Sequence, residues 1–254
     1  MNWIGCYTLW RKEVARFGKV WLQTIGAPVL TALLYQLIFS HAVGRHAAPL
    51  PDIAYTVFLM PGLAMMSMTQ NAFANTSSSL MQSRLTGNLV FILLPPLSPA
   101  ALFLAYTGAA WVRGMMVGLG VLLAVLPFGL PLPQHPVLAF VLAGAGCFFM
   151  SSLGLVVGIW AEKFDQLAAF QNFFIMPLTF LSGVFYSLDS LPGFWRAVSY
   201  ANPIFYLIDG FRYAFFGVSD VSPLLSAGMS TAFALAACTI AYALLRSGWK
   251  LRNS

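Results

Sequence analysis

The residue types able to carry chemistry are few in this sequence, and they are scattered. His41, His46 and His135 are its three histidines, and none stands in an HExxH or other metal-ligating spacing. Cys6, Cys147 and Cys238 lie far apart without a CxxC or Cys/His pattern, and two fall inside apolar stretches, so they read as small buried hydrophobes. Ser77, Ser78 and Ser79 lack the GxSxG elbow that would expose a serine nucleophile. Neither GxxxxGK[ST] nor a GxGxxG after a strand occurs, so the chain has nothing of its own to cradle nucleotide phosphates. The expectation is no catalytic residue, no metal site, no cofactor held by this chain, and no enzyme.

The remaining candidates are charges and amides in apolar surroundings. Arg113 sits inside a long apolar run, where a cation either contacts an anionic substrate, snorkels, or pairs with a polar neighbour on another helix. Asp209 and Arg212 are three residues apart on one helical face, which predicts a structural ion pair.

What must position them is a membrane fold. The 254 residues are 59% hydrophobic and only 8% charged, too few charges to coat a water-soluble globule. Lipid offers the backbone no hydrogen bonds, and the apolar runs do not alternate as barrel strands would, so the fold class is all-α and polytopic. About 20 apolar residues cross the hydrocarbon core, which places six spans near 21–42, 54–78, 98–126, 137–160, 167–185 and 223–245 in one domain, 1–254. The net charge of +6 reflects cations flanking these runs rather than a nucleic-acid surface. Arg11, Lys12, Arg16, Lys19, Arg84, Lys163, Arg246, Lys250 and Arg252 fall on the side of both termini. Arg45, Arg196 and Arg212 fall on the other, so both termini are expected in the cytoplasm.

Three segments are not simple spans. Residues 1–20 interleave Trp3, Ile4, Tyr7, Leu9, Val14, Phe17 and Val20 with charges, as in an amphipathic helix on the cytoplasmic surface or a frayed basic tail. Residues 81–97 offer a basic residue, a Gly-Asn turn, a short apolar run and a proline stop. This predicts a short cytoplasmic helix that either docks in a groove on a soluble partner or continues into the third span. Residues 186–222 are rich in aromatics and broken by Pro192 and Pro203, which predicts two short helices dipping into the outer leaflet as a re-entrant hairpin.

The run from Leu181 through Gly183, Tyr186 and Asp189 to Pro192, then Asn202-Pro203 and Asp209-Gly-Phe-Arg212, resembles the type-2 ABC exporter permeases of bacteria. The stretch from Gly87-Asn88 to Pro95-Pro96 is similar to their first cytoplasmic loop, and the resemblance covers essentially the whole chain. It implies a permease of the cell inner membrane that works as a pair, with a homodimer expected. Each copy would dock on a cytoplasmic ABC ATPase that binds ATP and Mg, with substrate moving outward between the permeases. It implies that Gly87, Asn88, Leu89, Phe91 and Leu94 contact the ATPase and that Pro192, Trp195, Asn202 and Pro203 belong to an extracellular gate. It also implies that the second and fifth spans line the pathway, making Gln70, Asn71, Asn75, Gln171 and Asn172 lining residues. The same amides could equally serve as hydrogen-bond glue between helices.

Two rival classes make different demands. A membrane scaffold or integral membrane enzyme works without nucleotide or an ATPase subunit, and an ion-coupled carrier needs titratable groups deep in its spans, which are scarce here.

Overall fold

The computed structural model of the chain describes residues 2–42 and 53–250, and among these the secondary structure is helical, with no β-strand. Arg45, His46 and Arg252 lie outside the described residues. The helices are α1 (Trp3–Gly18), α2 (Ala27–Ala42), α3 (Tyr55–Leu85), α4 (Leu89–Leu93), α5 (Pro99–Val125), α6 (Pro136–Trp160), α7 (Phe164–Phe170), α8 (Met176–Phe180), α9 (Gly193–Tyr200), α10 (Pro203–Phe216) and α11 (Pro223–Ser247). A π-helical turn, Leu22–Gly26, leads into α2, and a second, Gln171–Ile175, joins α7 to α8.

Several helix starts follow from local chemistry. Ser98, Asn202 and Ser222 each precede a proline, and each side-chain oxygen accepts a hydrogen bond from a first-turn N–H: Ala101 at 3.2 Å, Ile204 at 3.0 Å and Leu225 at 3.3 Å. The cap satisfies an orphan donor, while the proline's missing N–H falls where no helix partner exists. Gly217 and Gly248 end α10 and α11 in the left-handed conformation, at φ of +70° and +67°.

Four helical stretches are long and apolar enough to cross a membrane: Leu22–Ala42, Pro99–Phe128, Pro136–Trp160 and Pro223–Ser247. They match four of the expected spans to within two residues. The other two expected spans differ from this type. The helix expected at 54–78 is α3, which continues to Leu85 and, at 31 residues, is about 46 Å long, more than the hydrocarbon thickness of about 30 Å. Its apolar character is diluted by a run of hydroxyls and amides, because α3 is the central helix and is buried along most of its length against α5 and α6. The hydroxyls are satisfied locally: Thr69 donates to the Met65 carbonyl at 2.9 Å and Ser77 to that of Phe73 at 2.8 Å. Thr76 reaches across to the Ser151 carbonyl of α6 at 2.8 Å. That contact needs close backbones, and Gly154 permits it: a Cβ there would lie 2.5 Å from the Phe73 carbonyl oxygen. The helix expected at 167–185 is the shorter, interrupted run α7–α8, which stops at Phe180.

Residues 186–222 form α9 and α10, two helices separated at Asn202-Pro203. α10 is almost wholly buried against α3, α6 and α11 and is part of the core, whereas α9 is largely exposed, with only Ser199 buried.

Candidate functional site

Asn71 and Asn75, one turn apart on α3, present their amides on one side of the helix. Arg113, from the middle of α5, meets both: Nη2 donates to Asn71 Oδ1 at 3.1 Å and Nη1 to Asn75 Oδ1 at 3.4 Å. α1 closes the cluster from a third direction. Arg16 Nη2 donates to the same Asn75 Oδ1 at 3.0 Å and to the Asn75 carbonyl at 2.8 Å. Its Nε pairs with Glu13 Oε2 at 3.2 Å, and that oxygen also accepts from Ser79 Oγ at 2.6 Å. Glu13 Oε1 faces Lys12 Nζ at 3.6 Å. Glu13 is fully buried, whereas the Arg16 side chain keeps 27% of its exposure.

Of the three alternatives for Arg113, the geometry gives it polar partners on a neighbouring helix. Asn71 and Asn75 therefore join α3 to α5 and α1. Gln70, Gln171 and Asn172 are not in this cluster. Gln70 Nε2 lies 3.9 Å from Met176 Sδ, and Gln171 and Asn172 sit in the π turn, half-buried and exposed respectively. The sequence reading missed Glu13, Arg16 and Ser79 as members. A signal existed for Glu13, an acid four residues from both Leu9 and Phe17 on the face of α1 that the fold buries. That buried face is Cys6, Leu9, Glu13 and Phe17, whereas Trp3, Ile4, Tyr7 and Val20, expected on the apolar side, are exposed.

Below this cluster α3 ends at Leu85, and Gly87 turns the chain at φ +71° into α4. Asn88 donates to Thr86 Oγ1 at 2.9 Å and caps no helix N–H. Leu89 is buried in a cluster with Cys6 and Leu9 of α1, while Phe91 and Leu94 are 70% and 69% exposed. The five residues proposed together thus divide into one anchor, Leu89, and an outward face. Arg84 ties this corner to its surroundings by donating to the carbonyls of Ala161, of Ile159 at 3.1 Å and of Lys250 at 3.2 Å. Lys250 Nζ also meets Glu162 at 2.7 Å, and this bond holds the exposed Glu162 carboxyl below its ordinary pKa.

At the other end, Asn202 donates to the Leu178 carbonyl at 2.6 Å and so fastens the start of α10 to α8. Pro203 is the first residue of α10, Pro192 precedes α9, and Trp195 is half-exposed with its ring edge-on to Phe194. The ion pair expected between Asp209 and Arg212 is corrected by the structure. Arg212 Nη1 faces Asp220 Oδ2 at 4.0 Å, Nη2 donates to the Gly183 carbonyl at 2.6 Å, and the guanidinium lies 3.8 Å from the centre of the Phe58 ring. Asp209 instead accepts from the Asp220 N–H at 2.7 Å and from Ser226 Oγ at 2.8 Å. The left-handed turn at Gly217 folds the chain back over α10 and delivers Asp220 to both residues, a contact that helical spacing alone does not reveal.

Comparison with known proteins places this architecture. The chain is 36% identical over 255 residues to the inner membrane transport permease YadH of Escherichia coli K12, covering 100% of this chain and 99% of the relative. It is 25% identical over 251 residues to nodulation protein J of Rhizobium meliloti, covering 96% and 93% of the two chains. Nodulation protein J of Rhizobium leguminosarum bv. trifolii is 27% identical over 223 residues, covering 84% and 80%. Residues 5–216 match the ABC-2 type transporter family, so this helical membrane chain belongs to that family, as a membrane subunit of an ABC transporter.

Proposed function

We propose that the chain is the permease subunit of an ABC exporter in the cell inner membrane. Two copies form the pathway, and each docks on a separate cytoplasmic ATPase that binds ATP and Mg. In this reading α3 and α7–α8 complete a set of six spans, both termini are cytoplasmic, α1 lies at the cytoplasmic face, and α9 and α10 form a re-entrant gate on the outside. Substrate moves outward between the copies, along the stripe of α3 that carries Gln70, Asn71, Ala74, Ser78 and Gln82. That stripe stays partly or wholly exposed and is small and polar, a poor match to lipid. Transport is favoured by the similarity to YadH, a transport permease of the inner membrane.

The observation that carries the coupling is the two-sidedness of α4. An apolar pair, Phe91 and Leu94, points away from a helix whose inner side is fixed by Leu89 and whose corner is fastened by Arg84. A groove on a soluble ATPase would cover it. The test is co-purification from native membranes with a C-terminal tag. Wild-type protein should bring down a stoichiometric ATPase, and Phe91→Asp should lose it while eluting as a folded protein. Leu89→Asp should instead lower the folded yield, because it places a carboxylate in the core. Undiminished ATPase recovery with Phe91→Asp would remove α4 as the docking element, and failure of wild-type protein to recover any ATPase would remove the permease reading.

A further inference from the structure

The cluster at Asn75 holds more positive charge than it balances. Two guanidiniums converge on one amide oxygen, and the only carboxylate present, Glu13, faces Arg16 and Lys12, leaving Arg113 with neutral acceptors. Desolvated like charges repel unless an anion lies nearby. Among the described residues, two buried donors of the cluster, Arg113 Nε and Asn75 Nδ2, have no hydrogen-bond acceptor, and Glu13 Oε1 has only Lys12 Nζ at 3.6 Å. A buried donor left unpaired has lost its water without gaining a partner, so the arrangement favours a guest that brings oxygen acceptors and negative charge.

Depth and access narrow the guest. Asn75 lies ten residues from the α3 end at Leu85, about 15 Å along the helix axis. Asn75 lies on the side of the α3 midpoint that runs toward α4, and Arg113 meets it from the middle of α5, so in a bilayer the cluster sits between the mid-plane and the headgroup level on the α4 side. Arg16, Asn71 and Arg113 are only half-buried, so the cluster opens to the outside of the subunit beside the polar stripe of α3. Exposed apolar side chains for a tail are present on the neighbouring segments, Trp21 and Leu22 just after α1 and Phe173 and Phe174 between α7 and α8.

We infer that Arg16, Asn71, Asn75 and Arg113 form a binding site for the anionic, oxygen-rich headgroup of a membrane amphiphile, its tail remaining among the apolar helices. The inference rests on the permease reading and gives it a substrate class, an acidic amphiphile taken from the cytoplasmic leaflet. The guanidiniums supply bidentate donors to phosphate or carboxylate oxygens, and Glu13 holds Arg16 in place without neutralising the site.

The test uses the full chain purified with whatever ATPase accompanies it and reconstituted in nanodiscs of phosphatidylcholine with a minor fraction of phosphatidylglycerol. Lipid retained by the protein is counted by native mass spectrometry. Wild-type protein should retain phosphatidylglycerol selectively. Arg113→Gln should lower that retention about tenfold, equivalent to about 1.4 kcal/mol, and Arg113→Lys should restore part of it. Arg11→Gln removes an equal charge from the exposed face of α1 and should change nothing. Should Arg113→Gln fail to fold, Arg16→Gln provides the same comparison. Equal retention in wild-type, Arg113→Gln and Arg16→Gln proteins would overturn the inference. Full displacement of the lipid by inorganic phosphate would overturn the amphiphile and leave a soluble anion as the ligand. ATPase recovery is scored on the same samples: its absence with selective lipid retention counts against the permease reading alone, and its presence without selectivity counts against the headgroup site alone.

Discussion

Replacing Glu13 by alanine tests the physical basis of the three-helix cluster. The substitution removes the acceptor of Arg16 Nε at 3.2 Å and of Ser79 Oγ at 2.6 Å. It also removes the one negative charge among Lys12, Arg16 and Arg113. Breaking a fully buried ion pair from one side costs about 3–5 kcal/mol. The cost here should be smaller, because Arg16 keeps 27% of its side-chain exposure and can recruit water once Glu13 is gone. A loss of about 2–3 kcal/mol is therefore expected from Glu13→Ala, and about half of that from Glu13→Gln, whose amide oxygen still accepts from Ser79. For a chain of this size that is a fall of roughly 5–10 °C in apparent melting temperature, read by size-exclusion fluorescence after heating in detergent. The double variant with Arg16→Ala should be less destabilised than the two single variants together, with a coupling of about 1–2 kcal/mol. A Glu13→Ala protein that melts with the wild type, or a coupling of zero, would show that α1 is held by its apolar contacts alone and that the charge argument is wrong.

Two further outcomes follow from other contacts. Gly154→Val should destabilise the α3–α6 contact by about 1–3 kcal/mol or more, visible as a lower melting temperature, because the atom met at 2.5 Å is backbone and cannot rotate away. The Glu162–Lys250 bond lowers the folded pKa of Glu162, so its contribution is present above the ordinary glutamate pKa and is lost as pH falls through the depressed folded value. An NMR titration of the labelled carboxyl should place its midpoint below that of a free glutamate, and Lys250→Ala should move it up; an unmoved midpoint would contradict the assignment.

How much of this was legible in the sequence depended on whether the signal was local. The Ser-Pro and Asn-Pro starts of α5, α10 and α11 are read directly, because cap and proline act within one turn. The four most apolar spans are equally direct, since length and hydropathy are additive along the chain. α3 was placed but ended early, because its last two turns, through Gln82 and Arg84, look like a loop by composition and are helical by tertiary packing. Asp209 and Arg212 were paired from helical spacing, whereas their partners come from Asp220 and Gly183, eleven residues from Asp209 and 29 from Arg212. The same limit hid Arg16 and Glu13: nothing within α1 says that its one acid will meet Ser79, 66 residues away.

These failures share a cause that bears on the proposed mechanism. The missed pairings each concern a polar side chain whose partner lies outside its own helix, and in a membrane such contacts bear on which segments meet, because apolar packing between helices is nearly matched by packing against lipid. α3 gathers most of them in the inner half of the chain: Asn71 and Asn75 toward α5 and α1, Thr76 toward α6, Ser79 toward Glu13, and Arg84 toward the end of α6. The same unbroken helix runs to Gly87 and α4. Under the permease reading, a push on α4 therefore acts on a helix whose polar partners sit within its last four turns. The Arg16–Asn75–Arg113 contacts are then the first that must rearrange if α3 moves against α1 and α5. A rigid helix linking a docking surface to a charged site is the physical connection that a coupling pathway requires, and the variants at Glu13, Phe91 and Arg113 probe its anchor, its input and its output separately.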